Sequence, residues 1–80
     1  MKKGVVEINE RIIIDPEIQH GKPVIKGTRV PVARIIGGLG GGMTADEIIK
    51  EYGVTLDDIR AALLYAEELV EKDIYYPLPR

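Results

Sequence analysis

At 80 residues, with no cysteine, one histidine and a formal charge of −2, the chain has room for one domain and none for a second core. With no cysteine and one histidine, neither disulfides nor a structural zinc site can staple the fold, so the added burial a core of this size requires is expected from a homodimer. No run approaches the ~20 apolar residues of a bilayer span. Glu7, Glu10, Arg11 and Asp15 interrupt every apolar stretch after Met1-Lys2-Lys3, so no secretory leader is expected and a cytoplasmic location is.

Taken in chain order, the first strand signals are Val5, Val6 and Ile8, then Ile12-Ile13-Ile14, then Val24-Ile25. The turn formers Asn9-Glu10, Asp15-Pro16 and Gly21-Lys22-Pro23 separate them. Strands so short are expected to lie over helices or pair across a dimer, since they are too few to close a sheet alone. Residues 1–30 are therefore read as a β segment with loops. Pro31 suits a first helical position, and Val32, Ile35, Ile36 and Leu39 follow at i, i+3, i+4 and i+7. Gly37 and Gly38 weaken this helix by about 1 kcal/mol each relative to alanine, and Gly40-Gly41-Gly42 should end it.

Thr44-Ala45-Asp46-Glu47 has the spacing of a capping box, with Met43 and Ile48 placed as a hydrophobic staple. The helix it opens is expected from Ala45 to about Tyr52, closed by Gly53. Thr55 caps a third helix with Asp58 at its third position, and Val54 and Ile59 form a second staple. The apolar side of that helix is predicted to carry Leu56, Ile59, Leu63, Ala66 and Val70, with Ala62 and Leu69 beside them. Glu67, Glu68, Glu71 and Lys72 crowd the solvent side, and Leu64 points away from the stripe as a candidate contact for another chain. Residues 31–72 thus hold three helices. Residues 73–80 form an extended tail, because Pro77 cannot continue a helix; its Tyr75 and Tyr76 are aromatic anchors either for a partner's groove or for the chain's own domain.

The stretch Glu47 to Leu63 has the pattern of a helix-turn-helix, with Gly53 at the turn. The start of its second helix, however, is Leu56-Asp57-Asp58, and two carboxylates there complement the helix dipole while repelling phosphates. Residues 1–34 hold seven Lys or Arg against four Asp or Glu, whereas residues 35–80 hold four against nine. No acidic residue occurs between Ile18 and Ala45, so Lys22, Lys26, Arg29 and Arg34 are the candidates for meeting DNA. The glycine run 37–42 is no phosphate loop, because Gly42 is followed by Met43-Thr44 where Lys-Ser/Thr would be needed. His20 lacks the companions of a zinc site or a general base, and no catalytic group, metal or cofactor is expected.

Ile13-Ile14-Asp15-Pro16-Glu17-Ile18, then Gly21 to Val32 with its Pro-x-Ile-x-Gly-Thr-Arg segment, then Gly42 to Ile48, closely resemble the small prokaryotic proteins of domain-of-unknown-function family 433. Asp57 to Leu63 with Tyr65-Ala66 also resembles the family, so the likeness spans about residues 10 to 70. It implies a mainly α fold, a trihelical homeodomain-like helix-turn-helix with a short N-terminal β segment. It also implies a role as the antitoxin partner of a PIN-like ribonuclease toxin. Gly37, Gly38, Gly40 and Gly41 stand where the family mostly has helix formers, which implies a shorter or looser first helix.

A neutraliser of an acidic nuclease site should present cations and apolar anchors, and Leu64, Tyr75, Tyr76, Leu78 and Arg80 are the candidates for that contact. The alternative is a stand-alone DNA-binding regulator using Lys22, Lys26, Arg29 and Arg34. Arg29 has a second reading, as a structural tie between the β segment and the helices.

Overall fold

The computed structural model describes residues 4–73. The strands are β1 (Val6–Glu7), β2 (Ile12–Ile14) and β3 (Pro23–Ile25), and the helices are α1 (Val32–Gly40), α2 (Ala45–Tyr52) and α3 (Leu56–Asp73). The strands, expected to be too few to close a sheet alone, do form one, antiparallel in the order β1-β2-β3, with Val6 opposite Ile14 and Ile13 opposite Val24, and it lies over the helices as the first alternative had it. Backbone bonds outside the strands extend so small a sheet. Ile8 N–H donates to Ile12 O at 2.9 Å, and Lys26 N–H donates to Arg11 O at 2.8 Å. One face of the sheet is sealed against α1, because Ile12 and Ile25, 0% and 1% exposed, share a cluster with Val32 and Ile35. Val24, next to Ile25 in β3, points to the opposite face and is fully buried as well.

The Gly27-Thr28-Arg29 segment is a tight loop that turns β3 into α1. Gly27 takes φ +82°, and the Thr28 hydroxyl donates to Ile25 O at 2.7 Å while accepting from Val30 N–H at 3.0 Å. Ile25 N–H donates to Val30 O at 3.0 Å, and Pro31 bridges to Val24. Pro31 is therefore the cap of α1, with extended backbone, one position earlier than a first helical residue.

α1 runs unbroken through Gly37 and Gly38 for nine residues. It ends in the glycine run, as expected, and Gly38 within it is a packing residue. A Cβ at Gly38 would lie 2.6 Å from Ile48 Cδ1 and 3.1 Å from Met43 Sδ, so the bare backbone is what lets α1 press on α2. Both capping boxes form. At α2, Thr44 Oγ1 accepts from Glu47 N–H at 3.1 Å and Glu47 Oε1 accepts from Thr44 N–H at 2.8 Å. At α3, Thr55 Oγ1 accepts from Asp58 N–H at 3.1 Å and Asp58 Oδ2 accepts from Thr55 N–H at 2.9 Å.

The core-facing stripe of α3 is rotated from the predicted one. Ile59 and Ala62 are buried and Tyr65 packs against the core, whereas Leu56 and Leu63 are 45% exposed and Val70 65%. Alanine at position 62 allows the close approach of neighbouring elements, and that fixes which side of an apolar-rich helix turns inward. Among the described residues, no helix is long and apolar enough to cross a membrane.

Candidate functional site

Three surfaces carry the residues singled out in the sequence. The first is basic. Arg29 leaves the Gly-Thr-Arg loop and Arg34 leaves the first turn of α1, and both line a recess of about 190 Å³ with Gln19, Val30, Pro31 and Tyr52. Gln19 Nε2 donates to Arg29 O at 3.1 Å and so holds the recess wall. Gln19 and His20 have φ of +50° and +56°. Two adjacent non-glycine residues in the left-handed region cost of order 1–3 kcal/mol each, a strain that collects at functional loops. Both arginines are exposed and neither forms an ion pair among the described residues.

Lys22 and Lys26 do not join that recess. Lys26 Nζ lies 2.9 Å from Glu7 Oε2, spanning the sheet from β3 toward β1, and Lys22 is exposed after the turn Gln19–Gly21. The four candidate cations are thus divided: two share a wall, one is paired and one stands apart. Gln19 and Tyr52 are not found as site residues by sequence reasoning. Only the turn-rich His20-Gly21 pair hints at an unusual backbone.

The second surface is the entrance to α3. Arg11 Nη1 donates to Asp58 Oδ1 at 3.1 Å, and Arg11 Nη2 lies 3.6 Å from Asp57 Oδ2. The tie between β segment and helices is therefore made by Arg11, in place of the structural role considered for Arg29. Asp58 is 8% exposed and serves the cap and the arginine at once. Beside this pair a recess of about 300 Å³ is lined by Asn9, Glu10, Arg11, Arg60, Ala61 and Leu64, among others. Leu64 is 65% exposed there, so it is accessible to another chain.

The third surface is an apolar groove of about 480 Å³ between α1 and α3, with Val32, Ala33, Ile36, Tyr65, Ala66 and Leu69 in its walls. Tyr75, Tyr76, Leu78 and Arg80 lie outside the described residues. Among the described residues, no group of three or more His, Cys, Asp or Glu side chains gathers as metal ligands would.

The family described as "Protein of unknown function (DUF433)" matches residues 12–66. A Mycobacterium tuberculosis protein named "Putative antitoxin VapB45" is 40% identical over 52 residues, covering 65% of this chain and 22% of that protein. An uncharacterized Archaeoglobus fulgidus protein is 61% identical over 23 residues, covering 29% of this chain and 64% of its own length. The crystal structure of a DUF433 member from Anabaena variabilis superposes with a TM-score of 0.71 at 32% identity, over 78% of this chain and 62% of that one. The structure of Rv2018 from M. tuberculosis gives 0.60 at 40% identity, over 65% of this chain and 24% of that one. The chain thus spans about a fifth of the length of the named antitoxin.

Proposed function

Because the chain belongs to the DUF433 family, we propose that it is the antitoxin half of a toxin–antitoxin pair and acts by binding a PIN-like ribonuclease, without catalysing a reaction. The observation that carries this reading is the 40% identity to the named antitoxin over 65% of the chain. α1 to α3 are read as a homeodomain-like trihelical unit, in which Gly53-Val54-Thr55 is the turn between α2 and α3. The active species is a cytoplasmic homodimer that needs no cofactor.

Metal-dependent nucleases gather carboxylates at their active sites, so a neutraliser offers cations held in place beforehand. Arg29 and Arg34 line one recess, with their backbone positions fixed by the Gly27-Thr28 loop and by α1, and they are the pair we assign to that role. Leu64 supplies an apolar anchor, and Tyr75, Tyr76, Leu78 and Arg80 of the tail add further contacts. The test is growth of a bacterial host expressing a PIN-like nuclease from the genome that encodes this chain. Co-expression of the wild type restores growth, and a chain ending at Asp73 restores it less. Failure of the wild type to bind or rescue refutes the reading, and full rescue by the shortened chain refutes the part given to the tail.

Direct binding to operator DNA is the second reading, favoured by the acid-free segment from Ile18 to Ala45. Lys22, Lys26, Arg29 and Arg34 would meet phosphates, because the α3 entrance presents Asp57 and Asp58. Replacing any one of these cations that touches a phosphate lowers the salt slope of binding by about one.

A further inference from the structure

α3 carries exposed apolar side chains that its own fold does not use. Leu56 and Leu63 are 45% exposed and Val70 is 65% exposed, and the three recur at i, i+7 and i+14. At 100° per residue they lie within about 40° of arc along the helix, a stripe beside the core-facing side. Arg60 and Glu67 flank the stripe on its outer edge. Both are exposed, and neither forms an ion pair among the described residues.

The order of these residues is self-complementary. Turned end for end about Leu63, the stripe places Leu56 against Val70 and Val70 against Leu56, with Leu63 meeting its own copy. The same rotation brings Arg60 within about one residue rise, ~1.5 Å along the axis, of Glu67. A two-fold interface requires one patch to match itself in this way. A different protein would have no reason to find a cation and an anion placed symmetrically about a leucine. The stripe is ~21 Å long, two heptads, which suits a short antiparallel helix pair.

We propose that two copies of this chain associate through antiparallel α3 helices, with a two-fold axis at Leu63 and reciprocal Arg60–Glu67 pairs across the seam. This rests on the part of the functional reading that makes the chain a homodimer, and it assigns the face. The contact leaves the Arg29–Arg34 recess outside the seam, since no α3 residue lines that recess.

The chain has no cysteine, so single cysteines report the geometry directly. Sedimentation equilibrium of the full chain from about 1 μM to about 1 mM should give a monomer–dimer equilibrium. Mild oxidation should link Leu63→Cys into a covalent dimer and leave Glu68→Cys, on the far side of α3, largely unlinked. Arg60→Glu and Glu67→Arg should each raise the dimer dissociation constant about tenfold, and the double variant should recover most of that affinity. Circular dichroism confirms that each variant folds.

A wild type that stays monomeric throughout overturns both the homodimer reading and this face, and leaves toxin neutralisation standing. A dimer whose dissociation constant ignores both charge variants, or that links equally well at positions 63 and 68, keeps the homodimer and overturns the face.

Discussion

Gly37 and Gly38 are neighbours in α1, yet an alanine at each should act in opposite directions. Both positions carry helical backbone, so replacing either glycine recovers about 0.8–1 kcal/mol of helix propensity. A Cβ at Gly37 meets no atom within 4 Å, and nothing offsets that gain. For a domain of this size 1 kcal/mol corresponds to a Tm rise of about 4–8 °C. At Gly38 the new methyl lands 2.6 Å from Ile48 Cδ1 and 3.1 Å from Met43 Sδ. Ile48 is 0% exposed, so its Cδ1 can retreat only by disturbing the core, and overpacking of this kind costs about 1–3 kcal/mol. The net effect of Gly38→Ala therefore runs from no gain to a loss of ~2 kcal/mol. The two variants should differ by at least ~4 °C in Tm, measured by far-ultraviolet circular dichroism at one protein concentration because the assembly state enters the midpoint. Equal stabilisation by both would refute the claim that Gly38 is required by the close contact of α1 with α2.

Asp58→Ala should lower stability by about 1–2 kcal/mol, since it removes the partner of Thr55 N–H and the closer partner of Arg11. Asp57→Ala should lower it by only about 0.5 kcal/mol, because that side chain is 64% exposed and 3.6 Å from the arginine; urea denaturation measures both, and equal losses would contradict the assignment. Ile35→Ala truncates a fully buried side chain at a cost of about 2–5 kcal/mol, a large part of the ~4–12 kcal/mol expected of a domain this size, and a cooperative transition near the wild-type midpoint would contradict its place in the core. Arg29→Glu with Arg34→Glu should abolish growth rescue while changing stability by no more than about 0.5 kcal/mol; rescue at the wild-type level would exclude the basic recess from toxin binding.

The capping signals are legible in the sequence because their chemistry is local. Thr44 with Glu47 and Thr55 with Asp58 form their capping boxes over three residues, and Gly53 closes α2 at φ +69°. The sheet is not legible, because its pairing is decided at a distance: Arg11 O receives Lys26 N–H, and neither residue advertises the other. The role of Arg11 is hidden for the same reason, with a partner at Asp58 far along the chain. The phase of the α3 stripe is ambiguous in the sequence because that helix carries leucine or valine on several sides. Packing of Ala62 and Tyr65 toward the core selects among those sides, and the hydrophobic period alone does not. Of the candidate site, Arg29 and Arg34 are readable as the centre of an acid-free segment. Gln19 and Tyr52 join them only once β3, α1 and α2 are assembled.

What the cations of this chain do limits what its surfaces can bind. Arg11 is held by Asp57 and Asp58, and Lys26 by Glu7, so neither contributes a full charge to an approaching anion. At the entrance of α3, one guanidinium lies against two carboxylates, which leaves a net negative charge where a recognition helix would meet the major groove. Docking there would set Asp57 against phosphate, and such repulsion works against the counterion release that drives DNA binding. The β3–α1 junction is different. Two arginines stand unpaired among the described residues on one recess wall, next to a strained turn, with no carboxylate in that wall. An anionic partner would therefore meet less repulsion at the Gly-Thr-Arg loop than at the entrance of α3. That placement would suit a compact acidic site on another protein better than the regular phosphate ladder of a duplex, because a ladder rewards charge spread along its length and, of the four candidate cations, only Arg29 and Arg34 share a wall.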